Sequence, residues 1–292
     1  MKRKVIQLSV STLVVSLPSE WVEKNNISKG SEVEVINKGD KLIVRSGEKP
    51  QNKIILDTKG RIFDKRYLGD LYIRGYDEVR INFKDADVLK EIKKEQLREY
   101  EIVEEEKDFC IIKSVSVGLE SEFDNMLRKC FLLTKEMSKS LVDYFNGEKV
   151  ELAEIRKLEL ENNKLSGFCL RLLNKNGYTP AHKTTFLYVI TREIEAICDI
   201  YKYVIDEVLE GYKISTEEKE YFSLVNDFFV MFYELFYKYD KERFKEFYNQ
   251  RKKLIQTGKR LEGKLAHHSL NLVVAIYNIC GPYLTMNMEE IY

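Results

Sequence analysis

The fold of the second half of the chain is decided by one stretch, Thr185-Phe-Leu-Tyr-Val-Ile-Thr-Arg-Glu-Ile-Glu-Ala-Ile-Cys-Asp-Ile-Tyr-Lys-Tyr-Val-Ile-Asp-Glu-Val208. Its apolar residues recur at alternating steps of three and four, which is typical of a long amphipathic helix with one buried seam. They are Leu187, Ile190, Ile194, Ile197, Tyr201, Val204 and Val208. Beside the seam, Glu195 and Asp199 stand one turn apart, so both carboxylates leave the same side of the helix. The pattern predicts a bundle helix with an acidic pair.

Further long helices are predicted on both sides of this stretch. They run from Glu120 to Asn146, Glu148 to Asn176, Ser215 onward, Asp240 to Gln256 and Leu261 to Ile279. Ser215-Thr-Glu-Glu218 is a capping signal for a strongly aromatic helix, and the last helix is expected to end before Gly281-Pro282. Long helices with short connections predict an antiparallel bundle, here divided into two sets of three.

The middle of the chain, residues 51–116, predicts a small α/β module. Short strands are expected at 53–57 and 78–83, helices at 61–69 and 87–97, and a hairpin at 100–104 and 109–113. The segment contains no glycine-rich phosphate loop and no Ser/His/Asp set. A spacer or dimer-supporting role is therefore the default interpretation.

The first fifty residues predict the order strand, strand, helix, strand, strand. Two short strands fall within Val5–Leu17, Pro18 opens a short helix at its first position, and Glu32–Ile36 pairs with Lys41–Arg45 across Asn37-Lys-Gly-Asp40. Such a unit is too small to bury its own apolar strands comfortably. We therefore expect a homodimer formed through residues 1–50.

Two segments of this region resemble the SpoVT/AbrB swapped-hairpin family. They are Ser11-Thr-Leu-Val-Val-Ser-Leu-Pro-Ser-Glu-Trp21 and Ile27-Ser-Lys-Gly-Ser-Glu-Val-Glu-Val35. The resemblance covers about residues 1–47. It implies that two chains interlace into one small β-barrel that often presents basic side chains to DNA.

Lys2, Arg3 and Lys4 form the basic cluster that would contact promoter DNA, and a dimer would double it. Several acidic residues dilute this positive field, and a basic N-terminus is commonly only a solvated start. The first strands also lack the several arginines that DNA-binding members of the family use. DNA binding is thus a weaker prediction than the fold.

The composition excludes a global attraction to polyanions, because 48 basic residues balance 48 acidic ones. The five cysteines include no C-x-x-C pair, which favours reduced core thiols over a disulfide framework or a zinc site. They are Cys110, Cys130, Cys169, Cys198 and Cys280.

There is no basic-then-apolar leader, and no uninterrupted apolar run approaches the roughly 18 residues of a membrane span. We expect a cytoplasmic protein with no membrane span.

The helical half resembles the phosphate-uptake regulator family PhoU, whose bundle consists of two three-helix repeats. The resemblance lies in Arg192–Val204, Leu160–Arg171 and Ala266–Ile279. It implies a PhoU-like bundle over residues 117–284. An SpoVT/AbrB unit, an α/β module and this bundle, in that order, are similar to an archaeal-type PhoU regulator.

The PhoU resemblance also implies a metal site, made by a Glu and an Asp four apart on the third helix of a repeat and an acid from the preceding helix. Glu195 and Asp199 match the pair, whereas the position on the preceding helix is Asn163, with Glu159 and Glu161 nearby. The implied metals are iron or zinc, and carboxylate ligands at this spacing also suit manganese or magnesium. An amide in place of an acid is a poorer ligand.

In the second repeat, Val274 and Asn278 take the positions of the acidic pair. His267 and His268 lie about one turn away, but adjacent histidines point about 100° apart on a helix and cannot share one face. The alternative interpretation of the first pair is a solvated helix face.

The leading prediction is an α+β, multidomain, non-enzymatic regulator that couples phosphate status to a phosphate transporter, a phosphate-signalling protein or transcription. The alternative is an AbrB-type transcription factor in which the bundle is a sensor or dimeriser. A carboxylate-bridged metalloenzyme is a third class, but its set of acids and histidines is incomplete.

Overall fold

The computed structural model describes residues 1–37, 41–46, 51–58, 64, 66–94, 100–115 and 122–291, with the backbone alone at 86, 94 and 290. The predicted hairpin turn at 38–40, helix start at 61–63, helix end at 97 and boundary at 116–119 lie outside the described residues. The chain divides into two compact units, residues 1–51 and 52–292. The division into three domains, 1–50, 51–116 and 117–284, stays a prediction.

The first unit consists of two hairpins and one short helix: β1 (Ile6–Ser9), β2 (Thr12–Val14), α1 (Ser19–Lys24), β3 (Val33–Asn37) and β4 (Leu42–Ser46). β1 pairs with β2 and β3 pairs with β4, both antiparallel, in two separate sheets. Pro18 is the N-cap of α1, with φ −63° and ψ 132°, and not its first helical residue as predicted. Its extended ψ places it just outside the helix.

None of the described residues of the first unit is buried in a single chain. Large apolar side chains project from both hairpins, including Val10 at 99%, Leu8 at 72% and Leu13 at 69% exposure. Such a density of exposed apolar side chains marks an interaction surface. The residues described in this unit therefore form no buried core within a single chain.

The α/β part of the second unit is a four-stranded sheet in the order β5-β6-β8-β7. Its elements are β5 (Lys53–Asp57), α2 (Arg66–Ile73), β6 (Glu78–Asn82), α3 (Ala86–Lys94), β7 (Tyr100–Glu105) and β8 (Phe109–Ser114). β5 and β6 are parallel, so α2 serves as their crossover, and the remaining pairs are antiparallel. Alternate residues of β6 and β8, among them Val79 and Ile112, are fully buried.

Helix α2 extends four residues beyond the predicted end at Gly69. It continues because Leu68, Leu71 and Tyr72 share one buried face at helical spacing, and that face packs into the core of the sheet. The chain leaves the helix at Gly75, whose φ of 95° favours glycine.

The helical part contains α4 (Phe123–Phe145), α5 (Leu152–Asn176), α6 (Lys183–Leu209), α7 (Thr216–Tyr237), α8 (Lys241–Gly258), α9 (Lys264–Asn278), α10 (Cys280–Met286) and α11 (Met288–Ile291). Six of the seven predicted seam residues of α6 are buried, and Val208 packs partly buried against the same core. The predicted capping box is present, since Ser215 and Glu218 exchange hydrogen bonds at the start of α7. The predicted α+β class, with N-terminal strands and a C-terminal helical region, is confirmed.

The long helices pack in two sets. α4, α5 and α6 contact one another, as do α7, α8 and α9, and α4 contacts α7 while α6 contacts α9 across the sets. All five cysteines are buried.

Helix α9 ends at Asn278, as predicted, but two further short helices that were not predicted, α10 and α11, follow it. Pro282 lies in the first turn of α10, where the missing N–H costs no intrahelical hydrogen bond. Lys264–Met286 is long and apolar enough to cross a membrane by length and composition, because its most apolar 18-residue stretch has a mean hydropathy of 1.2. Half of that stretch is buried within the protein, and the buried core helices of globular proteins can be equally long and apolar.

Candidate functional site

The predicted acidic pair lies on the side of α6 that faces α5. Glu195 accepts a hydrogen bond from Arg192 at 2.6 Å, and Asp199 accepts one from the Lys202 ammonium at 2.6 Å. Both cations come from the same helix, three residues from their partners. The pair is therefore neutralised locally.

Helix α5 supplies the other two predicted residues. Glu159 is only 3% exposed, and its Oε1 accepts hydrogen bonds from the Asn163 amide at 2.6 Å and from Lys202 Nζ at 3.2 Å. Lys202 thus bridges Glu159 on α5 and Asp199 on α6. The structure brings Glu159, Asn163 and Asp199 into one hydrogen-bonded network around the Lys202 ammonium. Glu195 pairs with Arg192, and it lies close enough to this network for the charges of Asp199 and Glu159 to raise its pKa.

The protonation states follow from burial and charge. Burial raises the pKa of Glu195; Arg192 opposes this, while the charges of Asp199 and Glu159 add to it. Burial acts to lower the pKa of Lys202, but the hydrogen bonds to Asp199 and Glu159 outweigh it, so that pKa is raised. Lys202 therefore carries its charge at neutral pH.

This donor set fits a metal poorly. Lys202 occupies hydrogen-bonding positions on two of the carboxylates, and Asn163 replaces an acid. Among the residues that the structure describes, no group of three or more His, Cys, Asp or Glu side chains is arranged to hold a metal ion. The metal assignment stays a prediction.

The corresponding part of α9 carries no carboxylate. Val274 and Asn278 are exposed, and the rings of His267 and His268 lie 6.4 Å apart at an interplanar angle of 71°. His268 packs near Tyr203, and burial lowers its pKa.

A cleft of about 520 Å³ adjoins the acidic network. One wall is α2 together with Asp64, two residues before the helix, and the other is formed by α5 and α6. The lining residues are Asp64, Arg66, Tyr67, Gly69, Asp70, Tyr72, Ile73, Asn163, Gly167, Arg192 and Glu195. Two arginines and three acids give it a mixed, polar character. Nothing in the sequence predicted that α2 would meet the acidic face of α6.

A buried arginine fixes this cleft. Arg171 of α5 is 3% exposed, donates to the carbonyls of Tyr72 at 2.7 Å and Tyr76 at 2.8 Å, and pairs with Asp77. Lys175 adds a second cation on Asp77 at 2.7 Å. The C-terminal end of α2 is thus tied to α5, which holds the cleft walls together. A charged residue between the apolar Leu170 and Leu172 was the available sequence signal.

The predicted DNA-contacting residues Lys2, Arg3 and Lys4 are all exposed and precede β1. They lie at the start of the unit whose hairpins have no core of their own. The structure leaves them accessible to a polyanion.

Residues 10–55 match a protein family described as "Antidote-toxin recognition MazE, bacterial antitoxin". The N-terminal domain is MazE/AbrB-like. This match confirms the swapped-hairpin part of the predicted resemblance, and domains of this kind typically dimerise and bind DNA. It indicates a transcription-regulatory or antitoxin-like role for the N-terminal domain.

The family match ends at Ile55, so it does not test the PhoU resemblance of the helices. Searches among curated proteins and among solved structures give no match.

Proposed function

We propose that this protein is a dimeric, non-enzymatic DNA-binding transcription regulator of the cytoplasm, in which residues 52–292 act as the sensor. One observation carries the proposal: the MazE/AbrB-like hairpins of a single chain bury none of their described side chains. Full burial of a Val or Leu side chain contributes about 1.5–3 kcal/mol. A second copy is the natural source of the missing core.

Dimerisation also explains how a weak basic cluster could bind DNA. Two copies of Lys2, Arg3 and Lys4 would present six cations to the phosphate backbone. Phosphate contacts fix position, whereas base contacts give sequence preference. The sensor role is supported by the cleft beside the α5–α6 network, where a bound molecule would touch both parts of the second unit.

The test couples oligomeric state to DNA binding. Light scattering on the full chain should give a dimer, and the chain should bind its own promoter fragment with a steep loss of affinity as salt rises. Leu13→Asp, which places a charge in the exposed hairpin surface, should give a monomer that has lost its preference for the promoter fragment over unrelated duplex. Leu209→Asp is the matched control, because Leu209 is also exposed, at 56%, but lies at the end of α6.

Two results would contradict the proposal. One is a wild-type chain that stays monomeric at micromolar concentrations. The other is a dimer that binds no promoter fragment even at low salt.

Regulation of phosphate uptake is a second candidate function for this protein. It is supported by the packing of α4–α6 and α7–α9 as two sets of three, and by the position of Glu195 and Asp199 on the third helix of the first set. A tagged chain recovered from phosphate-starved cells should enrich a phosphate transporter or phosphate-signalling protein relative to replete cells. Equal recovery from both cultures would count against this candidate.

The metal implied by the PhoU resemblance can be tested separately. Because Lys202 occupies two of the carboxylates, we expect Glu195→Ala combined with Asp199→Ala to leave the iron, zinc, manganese or magnesium content measured by elemental analysis unchanged. A lower metal content in the variant would support the implied site instead.

A further inference from the structure

Helix α8 carries an exposed cationic surface that neither the DNA-binding domain nor the cleft uses. Between Phe247 and Leu261 the chain has five basic residues and no acidic one, in a protein whose charges balance overall. Four of the five are exposed, as is Lys245, about two turns before Lys252. The α8 basic face is defined here as Lys245, Lys252, Lys253, Lys259 and Arg260.

These five cations are not engaged by carboxylates. Within the part of the chain that the structure describes, none of them forms an ion pair, whereas Arg243 pairs with Glu234 and Lys264 pairs with Glu207 on either side of the face. Unpaired cations on one surface add their fields instead of cancelling them. The face is therefore a local source of positive potential.

The helix holds these cations in a fixed row. Lys245, Lys252 and Lys259 are spaced by seven residues, so they follow one side of the helix in steps of about 10 Å. The opposite side of α8 is anchored in the core: Phe247 stacks on Phe228 with 4.1 Å between ring centroids, and the Leu254 carbonyl accepts a hydrogen bond from the Tyr221 hydroxyl at 2.9 Å.

Aromatic rings support the middle of the face. The Lys252 ammonium lies 4.6 Å from the centroid of the Tyr248 ring, and the Arg251 guanidinium lies 3.8 Å from that of Tyr277 on α9. The two tyrosine rings are 6.3 Å apart. Cation–π contacts hold these side chains at the surface without neutralising them.

We propose that the α8 basic face binds the phosphate backbone of double-stranded DNA. This contact would be additional to the one made by the N-terminal domain. The choice of DNA rests on the proposed function. The helix dipole accounts for a cation at the C-terminal Lys259 but not for Lys245, Lys252 and Lys253. A membrane surface is disfavoured because the apolar side of α8 is buried and only Tyr248 could insert.

The test measures fluorescence anisotropy of a short duplex with the full chain between about 50 and 200 mM KCl. Lys252→Gln, Lys253→Gln and Lys259→Gln together should weaken binding to a duplex of unrelated sequence at least about tenfold. They should also reduce the slope of log affinity against log salt by about 3, since each phosphate contact contributes roughly 0.9. Lys149→Gln, Lys164→Gln and Lys213→Gln form the matched control, because these lysines are also exposed and the net charge changes equally.

A third protein, with Lys2, Arg3 and Lys4 changed to alanine, separates this inference from the proposed function. If it loses its preference for the promoter fragment over unrelated duplex but keeps salt-dependent binding to both, both proposals stand. If the wild type does not prefer its promoter but binds duplex through the α8 face, the proposed function falls and the inference stands. Unchanged affinity and slope in the α8 variant would overturn the inference.

A membrane outcome is also distinguishable. If the α8 face is needed for binding to vesicles of phosphatidylcholine and phosphatidylserine while duplex binding is unaffected by its substitution, the DNA assignment is wrong.

Discussion

The two units of this protein are stabilised in opposite ways. The hairpins of residues 1–46 expose their large apolar side chains, whereas the helices from Phe123 to Met286 enclose a core of fully buried Phe, Tyr, Ile and Leu side chains. Burial of apolar surface is the main favourable term in folding. Within a single chain the second unit has this term, whereas the described residues of the first unit do not.

The largest expected effect comes from opening the core of the second unit. Phe131 is fully buried and contacts the rings of Phe229, Phe232 and Phe236. Phe131→Ala should lower the free energy of unfolding by about 3–5 kcal/mol, because it removes apolar contacts and leaves a cavity. Urea unfolding followed by far-UV circular dichroism measures this loss. Leu132→Ala, at the neighbouring 44% exposed position, should cost far less; equal losses would show that the described core is wrong.

A smaller loss in the free energy of unfolding is expected when the buried Arg171 is replaced. Arg171→Met removes one of the two donors to each of the Tyr72 and Tyr76 carbonyls, which keep the Gly75 N–H and the Tyr100 hydroxyl, and it removes one cation from Asp77. Lys175 still pairs with Asp77, so we expect a loss of about 3 kcal/mol, at the lower end for a broken buried ion pair.

Arg156→Met on the same helix is the control for this variant. Arg156 pairs with Asp206 at 2.7 Å, but both side chains are more than a third exposed, so the cost should stay below about 1 kcal/mol. Indistinguishable stabilities of the two variants would remove the structural role assigned to Arg171.

The sequence predicted features that depend on local spacing. The α6 seam, the Ser215–Glu218 capping box and the two N-terminal hairpins each involve residues a few positions apart, and all are present in the structure. Such patterns are set by helix and strand periodicity. The acidic pair on α6 was predictable for the same reason.

What the sequence did not predict depends on contacts between distant segments. Lys202 meets Glu159 across 43 positions and Arg171 meets Asp77 across 94, so no local spacing indicates either pair. The cleft against α2 was missed for this reason. Lys202 bridges Asp199 and Glu159, whereas Glu195 pairs with Arg192 on its own helix.

The comparison of the two units can be sharpened by changing protein concentration. Trp21, the single tryptophan, lies in α1, so its fluorescence reports on the first unit, while far-UV circular dichroism reports mainly on the long helices. A tenfold dilution should lower the stability of a dimeric first unit by about 1.4 kcal/mol and leave the helical transition unchanged. Coincident transitions with no concentration dependence would mean that the first unit is stable without a partner.

The smallest expected effects concern how the free energy of unfolding depends on pH. Glu195 and Glu218, both in the second unit, should contribute to this dependence with opposite signs. Burial raises the pKa of Glu195 above 4.5. At Glu218, burial acts in the same direction but is outweighed by hydrogen bonds from Ser215, Tyr212 and the Ala266 backbone, so its pKa is lowered.

The signs follow from proton linkage. A raised folded-state pKa means that the folded protein holds the proton more tightly, so the contribution of Glu195 is favourable below pH 4.5 and is lost as pH rises through the folded pKa. The contribution of Glu218 is present above pH 4.5 and is lost as pH falls through its lower folded pKa. Glu195→Gln should therefore become more stable relative to the wild type between acidic and neutral pH, and Glu218→Gln less stable.

Urea unfolding of both variants and the wild type across this pH range measures the two differences, and each variant serves as the control for the other. Differences of the same sign would mean that burial governs both carboxylates and that the hydrogen bonds at the start of α7 do not hold the charge of Glu218. Opposite signs would show that the helical unit treats its two partly enclosed acids differently: the capping box supplies donors to Glu218, whereas the α5–α6 network surrounds Glu195 with other carboxylates.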